Sequence, residues 1–126
     1  MQVSKLKISA NASGKLKMLK SRSGLTPNLL CRMAMMLSFE AGPLKQSLAS
    51  LEDGQEFNAY TLFGPYQSIY LDMLRFVEGE KHGENISNEV LIEKLIHHID
   101  RGVRQLSVRI KSPADAAMLL AGEVGA

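Results

Sequence analysis

The sequence predicts a mainly α protein, with a short N-terminal strand followed by a helical domain, as a single unit over residues 1–126. Three observations predict this. Period-two alternation is clearest at residues 5–8; apolar residues recur near every 3.6 positions over most of the remainder; and the pairs Gly42-Pro43 and Gly64-Pro65 punctuate the chain between periodic stretches. A length of 126 residues suits one domain, and 45% apolar against 22% charged residues is enough to bury a core. Within the domain, residues 1–40 form a basic strand-helix-helix segment, 41–64 an irregular connection and 65–121 a helical segment.

Lys5-Leu6-Lys7-Ile8 reads as a half-buried strand, with both lysines on the face away from Leu6 and Ile8. Ser9 or Asn11 can cap the helix that follows. In it Ala12, Leu16 and Leu19 form the apolar stripe, and Gly24 stands just past its end. Thr26-Pro27 opens a second helix, with a capping hydroxyl ahead of proline at the first helical position. Its run from Leu29 to Phe39 is apolar nearly all round, so it needs cover on every side, from a second subunit as well as from its own chain. Asp53-Gly54 reads as a turn, and Tyr60 to Phe63 as a short strand or an extended link. Tyr66, Ile69, Tyr70, Met73, Leu74 and Val77 then mark an amphipathic helix closing before Gly79 or Gly83. Ser87 caps the last long helix, whose stripe is Ile92, Leu95, Ile96, Ile99, Val103, Leu106 and Ile110, with Gly102 as its weak point. Ser112-Pro113 restarts a short helix through Leu120.

The net charge of +2 hides a strong asymmetry. Residues 1–39 hold seven basic side chains and no acidic one, while the rest holds eight basic and thirteen acidic, a balance of −5. Lys5, Lys7, Lys15, Lys17, Lys20 and Arg22 are the candidate DNA-binding residues, facing phosphates through the strand and first helix, and the amides opening the second helix can hold a further phosphate. No aromatic is interleaved with them, which argues against base stacking. His97, Arg101, Arg104 and Lys111 form a second, weaker basic strip on the polar side of the long helix.

Other chemistries find little support. Cys31 lies inside an apolar run and reads as core packing rather than as a nucleophile. His82, His97 and His98 lack metal-ligand spacing and read as solvated. Glu52, Asp53 and Glu56 near a turn read as solvent-facing rather than as a metal site. There is no phosphate-binding glycine loop. The expectation is therefore no catalytic residues, no metal and no cofactor. The longest apolar stretches are too short to cross a bilayer, the N-terminus lacks a signal-peptide core, and one cysteine forms no internal disulfide, so a soluble cytoplasmic protein is expected, with no membrane partner.

Strand, helix, Ser23-Gly24-Leu25-Thr26 and helix together resemble the ribbon-helix-helix pattern over the first 40 residues. More specifically, the chain resembles the DndE family, the small component of bacterial DNA phosphorothioation systems. The blocks that carry this are Gly24-Leu25-Thr26-Pro27-Asn28 with Cys31-Arg32; Asp53-Gly54-Gln55-Glu56-Phe57-Asn58 with Tyr60-Thr61-Leu62-Phe63-Gly64; and Arg101-Gly102-Val103 with Lys111-Ser112. The resemblance implies a subunit of a machine that replaces a non-bridging phosphate oxygen of DNA by sulfur. It also implies that companion proteins supply the sulfur and nucleotide chemistry, and that the subunit is a homo-oligomer, a tetramer, binding duplex or nicked DNA through surface lysines. The division of labour expected is lysines for DNA, the Met-rich helix for self-association and the acidic C-terminal half for a partner protein. The alternatives are a nicking nuclease or sulfur-transfer enzyme of the same pathway, and a ribbon-helix-helix transcriptional regulator.

Overall fold

The computed structural model describes residues 4–45, 49–82 and 87–125. In chain order these form β1 (Lys5–Ser9), α1 (Ala10–Ser23), α2 (Pro27–Glu40), β2 (Asp53–Asn58), α3 (Ala59–Phe63), a single 3-10 turn (Gly64–Tyr66), α4 (Gln67–His82), α5 (Asn88–Arg109) and α6 (Pro113–Gly125). The architecture is mainly α with one small sheet at its N-terminal end.

The local signals act where the sequence places them. Ser9 Oγ accepts from Ala12 N at 3.0 Å, and Gly24 closes α1 at φ 78°, a left-handed conformation that a side chain disfavours. Thr26 Oγ1 caps α2 by accepting from Leu29 N, with Pro27 opening the helix. Ser87 Oγ caps α5.

Two expectations for the connection are overturned. Asp53-Gly54 is not a turn but the start of β2, which pairs antiparallel with β1 in the register Lys5↔Asn58, Leu6↔Phe57 and Lys7↔Glu56. Glycine is needed at position 54 for proximity: a Cβ there would lie 2.3 Å from Ser13 Oγ and 2.6 Å from Ser9 O, so only glycine lets β2 run against the start of α1. Tyr60 to Phe63 is neither strand nor link; it belongs to α3, which Asn58 caps by accepting from Tyr60 N at 2.8 Å. The pairing also bears on the ribbon-helix-helix reading. The order β1-α1-α2 is present, but β1 pairs with β2 of its own chain, whereas that reading pairs it with the strand of a second copy.

α5 is the central element. Leu91, Leu95, Ile99, Val103 and Leu106 are buried along it and Ile110 just past its end, against Leu6 and Ile8 of β1, Leu16 and Leu19 of α1, and Leu30 and Met35 of α2. Each such side chain contributes about 2 kcal/mol of apolar transfer. Gly102, expected to be the helix's weak point, is instead where α5 touches α2: a Cβ there would sit 1.9 Å from Ala34 O. α4 runs through Gly79 and ends at His82, the later of the two ends expected, but it buries less of its stripe than expected: among its described residues Leu71, Leu74 and Glu78 are buried, while Tyr66 just ahead of it and Ile69 within it are exposed. Among the described residues no helix is long and apolar enough to cross a membrane.

Candidate nucleic-acid interface

The six candidate residues divide into two groups. On β1, Lys5 and Lys7 are exposed, but Lys7 stands directly across from Glu56, also exposed. Lys7 further lines a cavity of about 260 Å³ that Glu52, Asp53, Glu93 and His97 share. Opposite charges directly across a sheet attract, and acidic groups this close, within a Debye length of about 10 Å, offset the field of a lysine. On α1 the setting differs. Its fourteen residues contain no acidic side chain, Lys17 and Lys20 are exposed, and Lys15 and Arg22 are half-buried on the other flank. Arg22 reaches α5, where its guanidinium donates to Ser107 O at 3.3 Å. At the start of α2 the Leu29 amide is already taken by Thr26 Oγ1.

The second basic strip does not survive as a unit, because two of its four members serve the fold. The guanidinium of Arg101 donates to Ser38 Oγ at 2.8 Å, to Ser38 O at 2.6 Å and to Gly42 O at 2.5 Å, tying the end of α2 to α5. His97 is half-buried, its ring nitrogens each 2.9 Å from a backbone carbonyl, Glu93 O and Ala49 O; a neutral ring has one N–H and donates to only one of them. Arg104 and Lys111 remain exposed.

The sequence reading missed a buried polar chain. His98, expected to be solvated, is fully enclosed, with Phe39 edge-on to its ring at 5.0 Å between centroids. Its Nε2 lies 2.7 Å from Glu78 Oε2. A carboxylate can only accept, so the proton is on Nε2, and Nδ1 accepts from Ser38 Oγ at 2.7 Å. Glu78 also holds Lys94 Nζ at 3.1 Å and the Leu44 amide at 2.9 Å. Burial alone would raise the Glu78 carboxyl, but the Leu44 amide, His98 and Lys94 together hold it below the usual carboxylate range. Burial pushes His98 down to about 4 against the pull of Glu78, so the ring is neutral near pH 7. One signal could have found this chain: Glu78 falls seven residues after Leu71 and four after Leu74, a carboxylate on an apolar stripe.

Ser38, His98 and Glu78 are the residue types of a nucleophilic triad, but the arrangement is closed. Ser38 is fully buried, its hydroxyl donates to His98, and its oxygen accepts from Arg101, so no surface is left for a substrate to meet. Cys31 is buried as expected, and burial pushes its thiol up to about 12, which leaves it protonated and unreactive. Among the described residues no group of three or more His, Cys, Asp or Glu is placed to hold a metal ion, Glu52, Asp53 and Glu56 included.

The blocks that carried the family resemblance turn out to be joints. Arg32 donates to Leu62 O at 2.6 Å and Thr61 O at 3.1 Å, linking the first block to the second. Gly54 and Gly102 stand where a Cβ would clash with the backbone of α1 or α2 and its flanks, and Arg101 clasps the end of α2. What fold and surface define is a small helical protein with a basic first helix and a closed polar interior. Comparison with known proteins gives the family. The family model described as DNA sulphur modification protein DndE matches residues 5–114, and the chain belongs to that family.

Solved structures agree on the fold. DndE from Escherichia coli B7A, involved in DNA phosphorothioation modification, is similar at 21% identity with a TM-score of 0.70, covering 84% of this chain and 98% of its own. A glycine-to-lysine double mutant of DndE involved in DNA phosphorothioation is similar at 20% identity with a TM-score of 0.59, covering 82% of this chain and 99% of its own. No curated protein matches the chain.

Proposed function

We propose that this chain is a DNA-binding subunit, without catalytic activity of its own, of a cytoplasmic complex that exchanges a phosphate oxygen of DNA for sulfur. It holds duplex or nicked DNA through lysine–phosphate contacts and works beside other proteins of that complex. The observation that carries this reading is α1: Lys15, Lys17, Lys20 and Arg22 on one helix without a carboxylate, Lys17 and Lys20 exposed. Family membership supplies DNA as the polyanion. The closed state of Ser38, His98 and Cys31 favours positioning over catalysis.

The test is binding of intact and nicked duplexes by the pure protein across a salt series, with and without magnesium. Salt-dependent binding without cleavage is expected. Metal-dependent nicking, or no binding at low salt, overturns the reading.

Self-association, as a tetramer, belongs to the same proposal. Met36 is exposed on α2, and beside it lies a cavity of about 350 Å³ lined by Met33, Leu37, Tyr66, Tyr70 and Leu119 among others. Such an apolar surface suits a second copy. Met36→Asp is expected to lower the mass measured by light scattering, and an unchanged mass places the interface elsewhere. Met35, also on that helix, is fully buried and unsuited to the test, since an aspartate there disrupts the core.

A further inference from the structure

We infer that the phosphate-binding surface does not end on α1 but continues across the seam between α1 and the end of α5, where Arg104 and Lys111 bind the backbone phosphates of a nucleic acid together with Lys15 and Arg22. This rests on the DNA-binding reading above and adds residues to it. The juxtaposition is specific. Ser107 O accepts from Arg22 at 3.3 Å and from Lys111 Nζ at 3.2 Å, so cations from the first helix and from just past the long one meet over one carbonyl. Lys15 lies seven residues before Arg22 on α1, two turns, so that flank carries a pair on one side of its helix, while Arg104 stands on α5 beside Asp100 and Lys111 two residues past the end of α5.

Like charges held this close repel unless an anion lies between them. The Ser107 carbonyl offers only a partial negative charge, that of a helix C-terminus. The two carboxylates described on the seam are already engaged. Asp100 is buried, accepting from Ser9 Oγ at 2.6 Å and pairing with Arg104 at 3.2 Å, and Asp115 accepts from the Lys111 amide at 2.8 Å. Arg104 keeps 56% of its side chain exposed despite its pair, and Lys111 is exposed. Among the described residues, four cations against two engaged carboxylates leave the seam positive. A phosphodiester backbone suits it, because guanidinium and ammonium groups spaced along α1 and about the end of α5 can each take a phosphate without reading a base. β1, with Glu56 across from Lys7, offers no such surplus.

The test compares Arg104→Gln/Lys111→Gln with Lys5→Gln/Lys7→Gln and Lys17→Gln/Lys20→Gln on one duplex over a salt series. Glutamine at 104 can still donate to Asp100, which protects the fold, and unchanged thermal midpoints confirm it. Each lost phosphate contact lowers the slope of log Kobs against log salt by about 0.9. The seam variant is expected to lose about two such steps, and the strand variant less than one. A seam variant with the wild-type slope, while the Lys17/Lys20 variant loses its share, overturns the inference and leaves the DNA-binding reading intact. Absence of salt-dependent binding in the wild type overturns both. Lys111→Arg, which keeps the charge and the reach to Ser107 O, is expected to retain the wild-type slope. Loss in that variant equal to the loss in Lys111→Gln overturns a charge-based role for Lys111, marking it as a helix cap only.

Discussion

The buried chain between α4 and α5 and the basic face of α1 both consist of charged side chains, yet they do opposite things. Inside, Lys94, Glu78, His98, Ser38 and Arg101 satisfy one another and the backbone of residues 38, 42 and 44. Outside, Lys17 and Lys20 lie on a helix without a carboxylate. The difference teaches that enclosure decides what a charge is for. In a low dielectric a charge must be matched, so it fixes structure and responds to pH. In water it is screened, contributes little to stability and remains available to a ligand, responding to salt instead.

The strongest way to break this contrast is Glu78→Ala. It strands Lys94 in the interior and removes the partner of His98 and of the Leu44 amide, at a cost of about 3–5 kcal/mol. Urea unfolding is expected to show that loss, and a midpoint within error of wild type would mean the chain does not hold α4 to α5. Close behind it, Gly102→Ala drives a methyl into the Ala34 carbonyl and is expected to cost about 1–3 kcal/mol in the same assay through forced separation of α2 and α5. Because this joint is apolar, its cost should not vary with pH.

A pH series sharpens the comparison at intermediate size. His98 lies near 4 in the fold against an ordinary 6.5, so as pH falls below 6.5 the unfolded chain takes up a proton that the folded one refuses. Stability is therefore lost as pH falls from 6.5 toward 4. Glu78, held below its ordinary 4.5, adds to the loss in the acid range, because the folded carboxylate stays ionised while the unfolded one protonates. Urea midpoints are expected to fall over that window in wild type and to fall less in His98→Gln. Equal slopes would remove His98 as the cause. The smallest effect belongs to the surface: Lys17→Ala with Lys20→Ala is expected to change stability by no more than about 0.5 kcal/mol. The same pair should flatten the salt dependence of DNA binding. A large loss of stability would mean these lysines serve the fold after all.

Much of the fold was legible because its signals are local. Ser9, Thr26 and Ser87 cap helices by reaching three residues along their own chain, and Leu95, Ile99, Val103 and Leu106 show α5 by their spacing alone. The basic character of α1 was legible for the same reason. β2 was not, because Gly54 is required by an approach to Ser9 and Ser13, some forty residues earlier, and the pair Asp53-Gly54 looks locally like a turn. Nor was the division of α4, where an apolar stripe indicates a buried side but not how much of it the neighbours cover: Leu71 and Leu74 are buried while Ile69 is exposed.

The sequence by itself determined the helical class, the capped boundaries, the inert buried cysteine, the segregation of positive charge toward the N-terminus and the family. Each of these depends on residues near one another in the chain or on composition. Only the tertiary structure decided which charges remain for a ligand. Lys7 lies across the sheet from Glu56, Arg101 and His98 turn inward, and Arg22 joins Lys111 over Ser107 because β1 pairs with β2 and α5 packs against both α1 and α2. Whether a charge is paired depends on what lies a few ångströms away in space, and spacing along the chain does not encode that.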